Sequence, residues 1–179
     1  MSNLEKIPVT ILTGFLGAGK TTLIRNLIIK NKSKRLAVII NEFGDLGVDG
    51  EIVKQCSDET CPEENILELA NGCICCTVAD DFVPTMQTLL DGKYLPEHIL
   101  IETSGLALPK PLLKAFEWPE IRSKLTVDSV LAVVDAEAVV NGVFAPQMSS
   151  EMENRQKETY VEHDTPLSEV FEDQINCSD

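Results

Sequence analysis

The 179-residue chain has no run of about 18 consecutive apolar residues, so no segment reads as a membrane-spanning helix. Basic residues are scarce: 15 Lys and Arg stand against 29 Asp and Glu, a formal net charge of −14. That balance argues against nucleic acid and anionic membranes as partners. The first residues lack the basic and apolar segments of a signal peptide, so the expected compartment is the cytosol. Only two histidines occur, His98 and His163, and both read as structural or solvated residues. Residues 151–179 hold nine Asp or Glu against two Lys or Arg, which reads as a solvated acidic face. No internal repeat is apparent.

Apolar residues make up 44% of the chain, enough for a real core in a single domain that needs no disulfide staple. Six cysteines, at positions 56, 61, 73, 75, 76 and 177, are therefore read as thiols or ligands. Strand-like runs occur at Ile7–Leu12, Leu36–Asn41, Ile66–Leu69, His98–Glu102 and Val127–Val134. Helix-like stretches occur at Lys20–Lys30, Val78–Leu90, Pro109–Glu117 and Pro166–Ile175. Their alternation predicts an α/β fold with a buried parallel sheet. Residues 42–65 look irregular, with glycines at 44, 47 and 50, and a loop of that length in a compact domain usually has a task.

Gly14-Phe15-Leu16-Gly17-Ala18-Gly19-Lys20-Thr21 is a complete phosphate-binding loop between a strand and a helix. Its backbone N–H groups can converge on one anion, and the helix N-terminus adds its dipole. The expected phosphate ligands are Gly14, Gly17, Ala18, Gly19, Lys20, Thr21 and Thr22. Lys20 can reach the β/γ-phosphates and Thr21 can hold Mg²⁺. Glu42, in Asn41-Glu42-Phe43-Gly44-Asp45, follows the second strand and faces the usual ligand crevice. It can touch Mg²⁺, orient water or sense a transition metal. Glu102 ends the fourth strand and suits magnesium's water shell, while Gly105 can offer its N–H to a γ-phosphate. Asp135 reads as a helix cap.

Asn71-Gly72-Cys73-Ile74-Cys75-Cys76-Thr77 gathers three thiols before a helix. Thiolates there bind soft or borderline divalent metals. Three cysteines in four positions cannot all converge without a bend, so Cys73 and Cys75 are the natural pair and Cys76 the supplementary ligand. Cys56 and Cys61 lean toward not being ligands.

Gly14–Thr21, Asn41–Gly44, Asn71–Cys76 and Glu102–Gly105 together make the chain resemble the CobW family of metal-associated P-loop GTPases over almost all of its length. The resemblance implies a three-layer P-loop NTPase domain with a mostly parallel central sheet that binds and hydrolyses GTP with Mg²⁺. It implies that Lys20 and its loop hold phosphates, that Thr21 and Glu102 serve Mg²⁺, that Cys73 with Cys75 bind the delivered metal, and that Glu42 lies in the nucleotide-responsive loop. Taken with the reading of the residues, Lys20 and Glu42 are the expected catalytic residues, and Thr21, Glu42, Glu102, Cys73, Cys75 and Cys76 the expected metal contacts. The stretches Cys61–Asn65 and Ala79–Pro84 look like the family's cobalamin-pathway branch. That branch implies Co²⁺ as cargo, handed to cobaltochelatase or another metal-accepting protein, with a homodimer allowed. Zinc delivery and a non-catalytic metal- and nucleotide-binding fragment are the alternatives. The family's guanine-reading Asn-Lys-x-Asp motif does not occur in these residues. Residues 1–179 are therefore expected to be the N-terminal part of the GTPase domain, without its last strands and without the C-terminal CobW domain.

Overall fold

The computed structural model describes residues 6–31, 33–40, 53–68, 82–92, 95–141 and 167–179. Five strands, β1 (Ile7–Thr13), β2 (Leu36–Ile40), β3 (Ile66–Glu68), β4 (His98–Glu102) and β5 (Leu125–Ala132), form one sheet in the order β3-β2-β4-β1-β5. Every pairing is parallel. The α/β class with a mostly parallel central sheet is thus the observed one.

The central strands are apolar on both faces because both faces are covered. On one face Val9, Ile11, Ala37, Ile39, Ile99 and Ile101 pack with residues of α2 (Val83–Leu90), α3 (Pro109–Ala115) and α4 (Pro119–Arg122). Phe82 and Phe116 meet edge to face there, ring centroids 5.4 Å apart. On the other face Leu12, Val38, Ile40 and Leu100 pack against Ile24 and Ile28 of α1 (Lys20–Lys30) and against Val53, Cys61 and Ile66. Helices on both faces force each crossover to be long, which is why strands alternate with helices in the sequence.

One polar link crosses three strands. Thr10 Oγ1 lies 2.9 Å from His98 Nε2 and 3.1 Å from Ser129 Oγ. A bulge in β5 makes this pairing: Val9 faces Val127 but Thr10 faces Ser129, leaving Asp128 without a counterpart. Burial pushes the His98 imidazole below its ordinary value, with Lys34 acting in the same direction and Asp128 opposing.

Some boundaries differ from expectation. β5 starts two residues early, at Leu125 rather than Val127, because Ile7 N–H bonds the carbonyl of Lys124 (2.9 Å) and draws the strand in. α3 stops at Ala115 rather than Glu117. Trp118 precedes a proline and takes an extended ψ of 139°, and Pro119 opens the short α4. α5 (Ala136–Val140) was not anticipated as a helix, although Asp135 caps it as expected, its Oδ1 accepting from Ala138 N–H at 3.0 Å. α6 spans Leu167–Asn176, close to the predicted Pro166–Ile175. The predicted start of the second helix at Val78 and the stretch Glu151–Val161 lie outside the described residues. Among the described residues no helix is long and apolar enough to cross a membrane.

Candidate functional site

The chain leaves β1 at Thr13 and turns through Gly14–Gly19 into α1. Three glycines there have positive φ: Gly14 at 135°, Gly17 at 76° and Gly19 at 97°. Their reasons differ. Around Gly17 and Gly19 a Cβ would meet nothing within 4 Å, so only the backbone conformation requires glycine. At Gly14 a Cβ would sit 2.2 Å from the carbonyl oxygen of Val133, so the loop also rests directly on the chain leaving β5. The first turn of α1 carries no acidic residue. The dipole at that end of the helix is thereby left favourable to an anion.

Lys20 is buried, and its Nζ donates to the carbonyl of Phe15 at 3.2 Å. The ammonium is folded back over the loop whose N–H groups it would share a phosphate with. Thr21 Oγ1 donates to both carboxylate oxygens of Glu102, at 3.0 and 3.2 Å. Glu102 itself is buried at the end of β4. Two hard oxygen donors facing each other beside the phosphate loop fit Mg²⁺ chemistry, with the hydroxyl inside and the carboxylate behind it. Thr22 is exposed on the next position of the helix.

Gly105 lies in the turn after β4. A Cβ on it would stand 2.6 Å from both the amide nitrogen and a methyl carbon of Leu16. Thr103 N–H bonds the carbonyl of Leu12 at 2.9 Å, tying the same segment to β1. The fold therefore brings Gly14, Gly17, Ala18, Gly19, Lys20, Thr21, Thr22, Glu102 and Gly105 to one corner of the sheet. Beside it, a depression of about 410 Å³ runs between Phe15–Ala18, Val133–Asp135 and α5, with Phe171 of α6 on its rim. Sequence reading missed this depression. Its signal was the apolar pair Val133-Val134 followed by a helix cap, beyond the end of β5.

Glu42, Cys73, Cys75 and Cys76 lie outside the described residues. The neighbouring strand ends are nonetheless in view. Leu12 pairs with Glu102, Glu102 with Ile40, and Ile40 with Glu68, one row across the C-terminal edge of the sheet. β2 thus ends one residue before Asn41, and β3 ends before the cysteine segment, both at the edge that holds Thr21 and Glu102.

The earlier thiol pair is structural at Cys61. Asp58 Oδ1 accepts from Thr60 N–H, Thr60 Oγ1 and Cys61 N–H at 2.7, 2.6 and 3.1 Å, closing a turn. Cys61 is fully buried, and burial, aided by Asp58, pushes its thiol up to about 12. A thiol that resists ionisation is a poor metal ligand. Among the described residues no group of three or more His, Cys, Asp or Glu could hold a metal ion.

A family model described as CobW/HypB/UreG, nucleotide-binding domain, matches residues 8–179. The chain is similar to the zinc chaperone CobW of Sinorhizobium sp, 56% identical over 178 residues, which span 99% of this chain and 50% of that protein. It is 53% identical to the zinc chaperone CobW of Pseudomonas aeruginosa, covering 100% of this chain and 48% of the relative. The zinc chaperone YjiA of Escherichia coli is 37% identical over 138 residues, 74% of this chain and 42% of that protein. The crystal structure of Zn(II)-bound YjiA GTPase from E. coli superposes with a TM-score of 0.57 at 23% identity, covering 98% of this chain and 48% of that one, a likeness of fold. The chain spans about half the length of the curated relatives it matches.

These relatives correct the cobalt expectation. The metal in their names is zinc, and two of them share more than half of their aligned residues with this chain, so Co²⁺ as cargo and cobaltochelatase as its acceptor do not stand. The physical reason for the error is plain. Thiolates accept both ions, and ligand type does not encode delivery. Of the two stretches read as marks of a cobalamin branch, Cys61–Asn65 is a short turn running into β3 with Cys61 and Asn65 buried and Glu63 and Glu64 exposed, which says nothing about a metal.

Proposed function

Because the chain belongs to the CobW/HypB/UreG family of nucleotide-binding domains, we propose that it is the phosphate-binding part of a GTP-hydrolysing zinc chaperone. In this reading Gly14–Thr22 and Gly105 hold the triphosphate, and Lys20 offsets charge on its outer oxygens. Thr21 and Glu102 hold Mg²⁺, which when bound supplies further charge neutralisation at the β- and γ-phosphates. Glu42 orients the attacking water or contacts a metal. Water adds to the γ-phosphorus, the bond to the β–γ bridging oxygen breaks, and GDP leaves with inorganic phosphate carrying the water's proton. Zn²⁺ is cargo, taken by Cys73 and Cys75 with Cys76 beside them, and passed to a metal-accepting protein.

The observation that carries this reading is the row of paired residues along one sheet edge, Leu12, Glu102, Ile40 and Glu68. With strands about 4.8 Å apart, β1 and β3 stand roughly 14 Å from each other. The segments bearing Glu42 and the three thiols therefore start within a short loop's reach of Thr21 and Glu102. Any element that responds to both ligands couples them, and the coupling is reciprocal.

The test is a competitive Zn²⁺ titration with and without Mg²⁺ and a non-hydrolysable GTP analogue. The expected result is tighter Zn²⁺ binding with nucleotide by about tenfold, within the usual range of coupling. Cys73→Ser with Cys75→Ser removes the binding. Lys20→Ala keeps the zinc affinity and removes the nucleotide effect. Identical zinc affinity in both states would sink the proposal.

A further inference from the structure

Gln174, in the last turn of α6, is fully buried. Its Nε2 donates to the carbonyls of Gly105 and Ala107, both at 3.1 Å. The amide orientation follows from chemistry, since the opposite one would set an oxygen against two carbonyl oxygens. Gln174 Oε1 is buried with no hydrogen-bond partner among the described residues. The two donated bonds together make a double hold on one turn.

That turn is the one pressed against the phosphate loop. Gly105 leaves no room for a Cβ beside Leu16. Within the turn, Ala107 N–H bonds the carbonyl of Ser104 at 3.0 Å. Fixing the Gly105 carbonyl fixes ψ of a residue that has no Cβ to restrict it. α6 is itself anchored on both sides: Asp173 pairs with Lys110 of α3, and Asp179 exchanges hydrogen bonds with Val130 of β5, at 3.0 Å through its N–H and 2.9 Å through Oδ2. The same helix places Phe171 on the rim of the depression beside Phe15–Ala18.

We propose that Gln174 is a positioning residue that holds the Ser104–Ala107 turn against the phosphate loop, and thereby sets the preference for a triphosphate over a diphosphate. This rests on the nucleotide-binding reading above, with Gly105 facing the γ-phosphate. Gln174 touches no nucleotide itself and acts through the turn.

The experiment compares wild type, Gln174→Met and Lys110→Met. It measures amide hydrogen exchange across residues 103–108, and affinities for GDP and a non-hydrolysable GTP analogue with Mg²⁺. Q174M keeps the volume and removes both donors. It is expected to speed exchange in the turn and to lower the analogue-to-GDP affinity ratio by about tenfold, the scale of two net hydrogen bonds, with GDP affinity changed less than about twofold. K110M removes the ion pair of the same helix and is expected to leave the ratio within about twofold. Equal losses for both nucleotides, or equal losses in both variants, would make Gln174 a mere anchor of α6 and overturn the proposal. Should Q174M fail to melt cooperatively, Gln174→Asn, which keeps the amide but withdraws it by one methylene, carries the same comparison. A wild type that binds neither nucleotide overturns the parent reading and this one together. A wild type with a triphosphate preference that Q174M leaves intact overturns this one alone.

Discussion

Replacing Gly14 by alanine separates the two reasons a phosphate loop needs glycine. Gly14 has φ 135°, where an L residue is strained by about 1–3 kcal/mol. The new Cβ would also lie 2.2 Å from the Val133 carbonyl oxygen, well short of the 3.4 Å at which ordinary contact begins. Backbone, unlike a side chain, cannot swing away. Val133 can retreat only by stretching its own N–H bond to the Thr13 carbonyl, now 2.8 Å, a loss of about 0.5–1.5 kcal/mol. Gly14→Ala should therefore cost about 2–4 kcal/mol and lower the melting temperature by about 5–15 °C for a domain of this size. Gly17→Ala is the control. It has positive φ but nothing within 4 Å of a Cβ, so its cost should be near 1 kcal/mol. Urea unfolding of both variants, at unchanged m, checks the difference. If Gly14→Ala unfolds at the same urea concentration as Gly17→Ala, the contact with Val133 is not structural and the reasoning fails.

Glu102→Gln keeps a partner for Thr21 but removes the charge behind the hydroxyl. The Mg²⁺ concentration giving half-maximal GTP turnover should rise about 10–100-fold, and an unaltered magnesium dependence would contradict the assigned role. Cys61 offers a pH test. Its folded thiol keeps its proton up to about 12, against 9.0 when unperturbed. The folded state therefore binds more protons than the unfolded one above pH 9, and this contribution to stability is lost as pH rises through that window. Cys61→Ala should flatten the slope, and a thiol reagent should modify wild-type Cys61 only after unfolding; ready labelling at Cys61 itself in the native protein, located by peptide mapping, would refute its burial. Ile39→Ala, in the middle of a strand flanked on both sides, should cost about 2–5 kcal/mol by calorimetry, and a loss under about 1 kcal/mol would mean that the core can close around the gap.

What was legible in the sequence was local. The loop from Gly14 to Thr21 and the strands around it are contiguous, so their chemistry can be read without a fold. Glu102 was legible as a carboxylate at a strand end, but its pairing with Thr21 joins residues 81 apart, which parallel pairing of β1 with β4 brings about. Gln174 was hidden. In the pattern Leu167, Val170, Phe171, Gln174 it looks like one more position on the inner face of an amphipathic helix, and its partners lie 69 and 67 residues away. α4 and α5 were too short to show a periodicity and were betrayed only by Trp118-Pro119 and by the Asp135 cap. Co²⁺ and Zn²⁺ could not be told apart from the sequence, because thiolates accept both and ligand type does not encode delivery.

Strands β1, β2 and β4 are oily on both sides, so an off-by-one alignment would exchange one greasy surface for another at little expense in hydropathy. Thr10, His98 and Ser129 remove that degeneracy where β4, β1 and β5 meet. Three polar tips from three strands find one another in a single threading, and the extra residue at Asp128 is what lets β5 join it. A slipped arrangement would leave the buried Thr10 hydroxyl without its partners, at about 1–3 kcal/mol, while half-buried His98 and Ser129 would lose theirs at less cost. The trio thus works as a proofreader of assembly, rejecting mispaired sheets that apolar contact alone would accept.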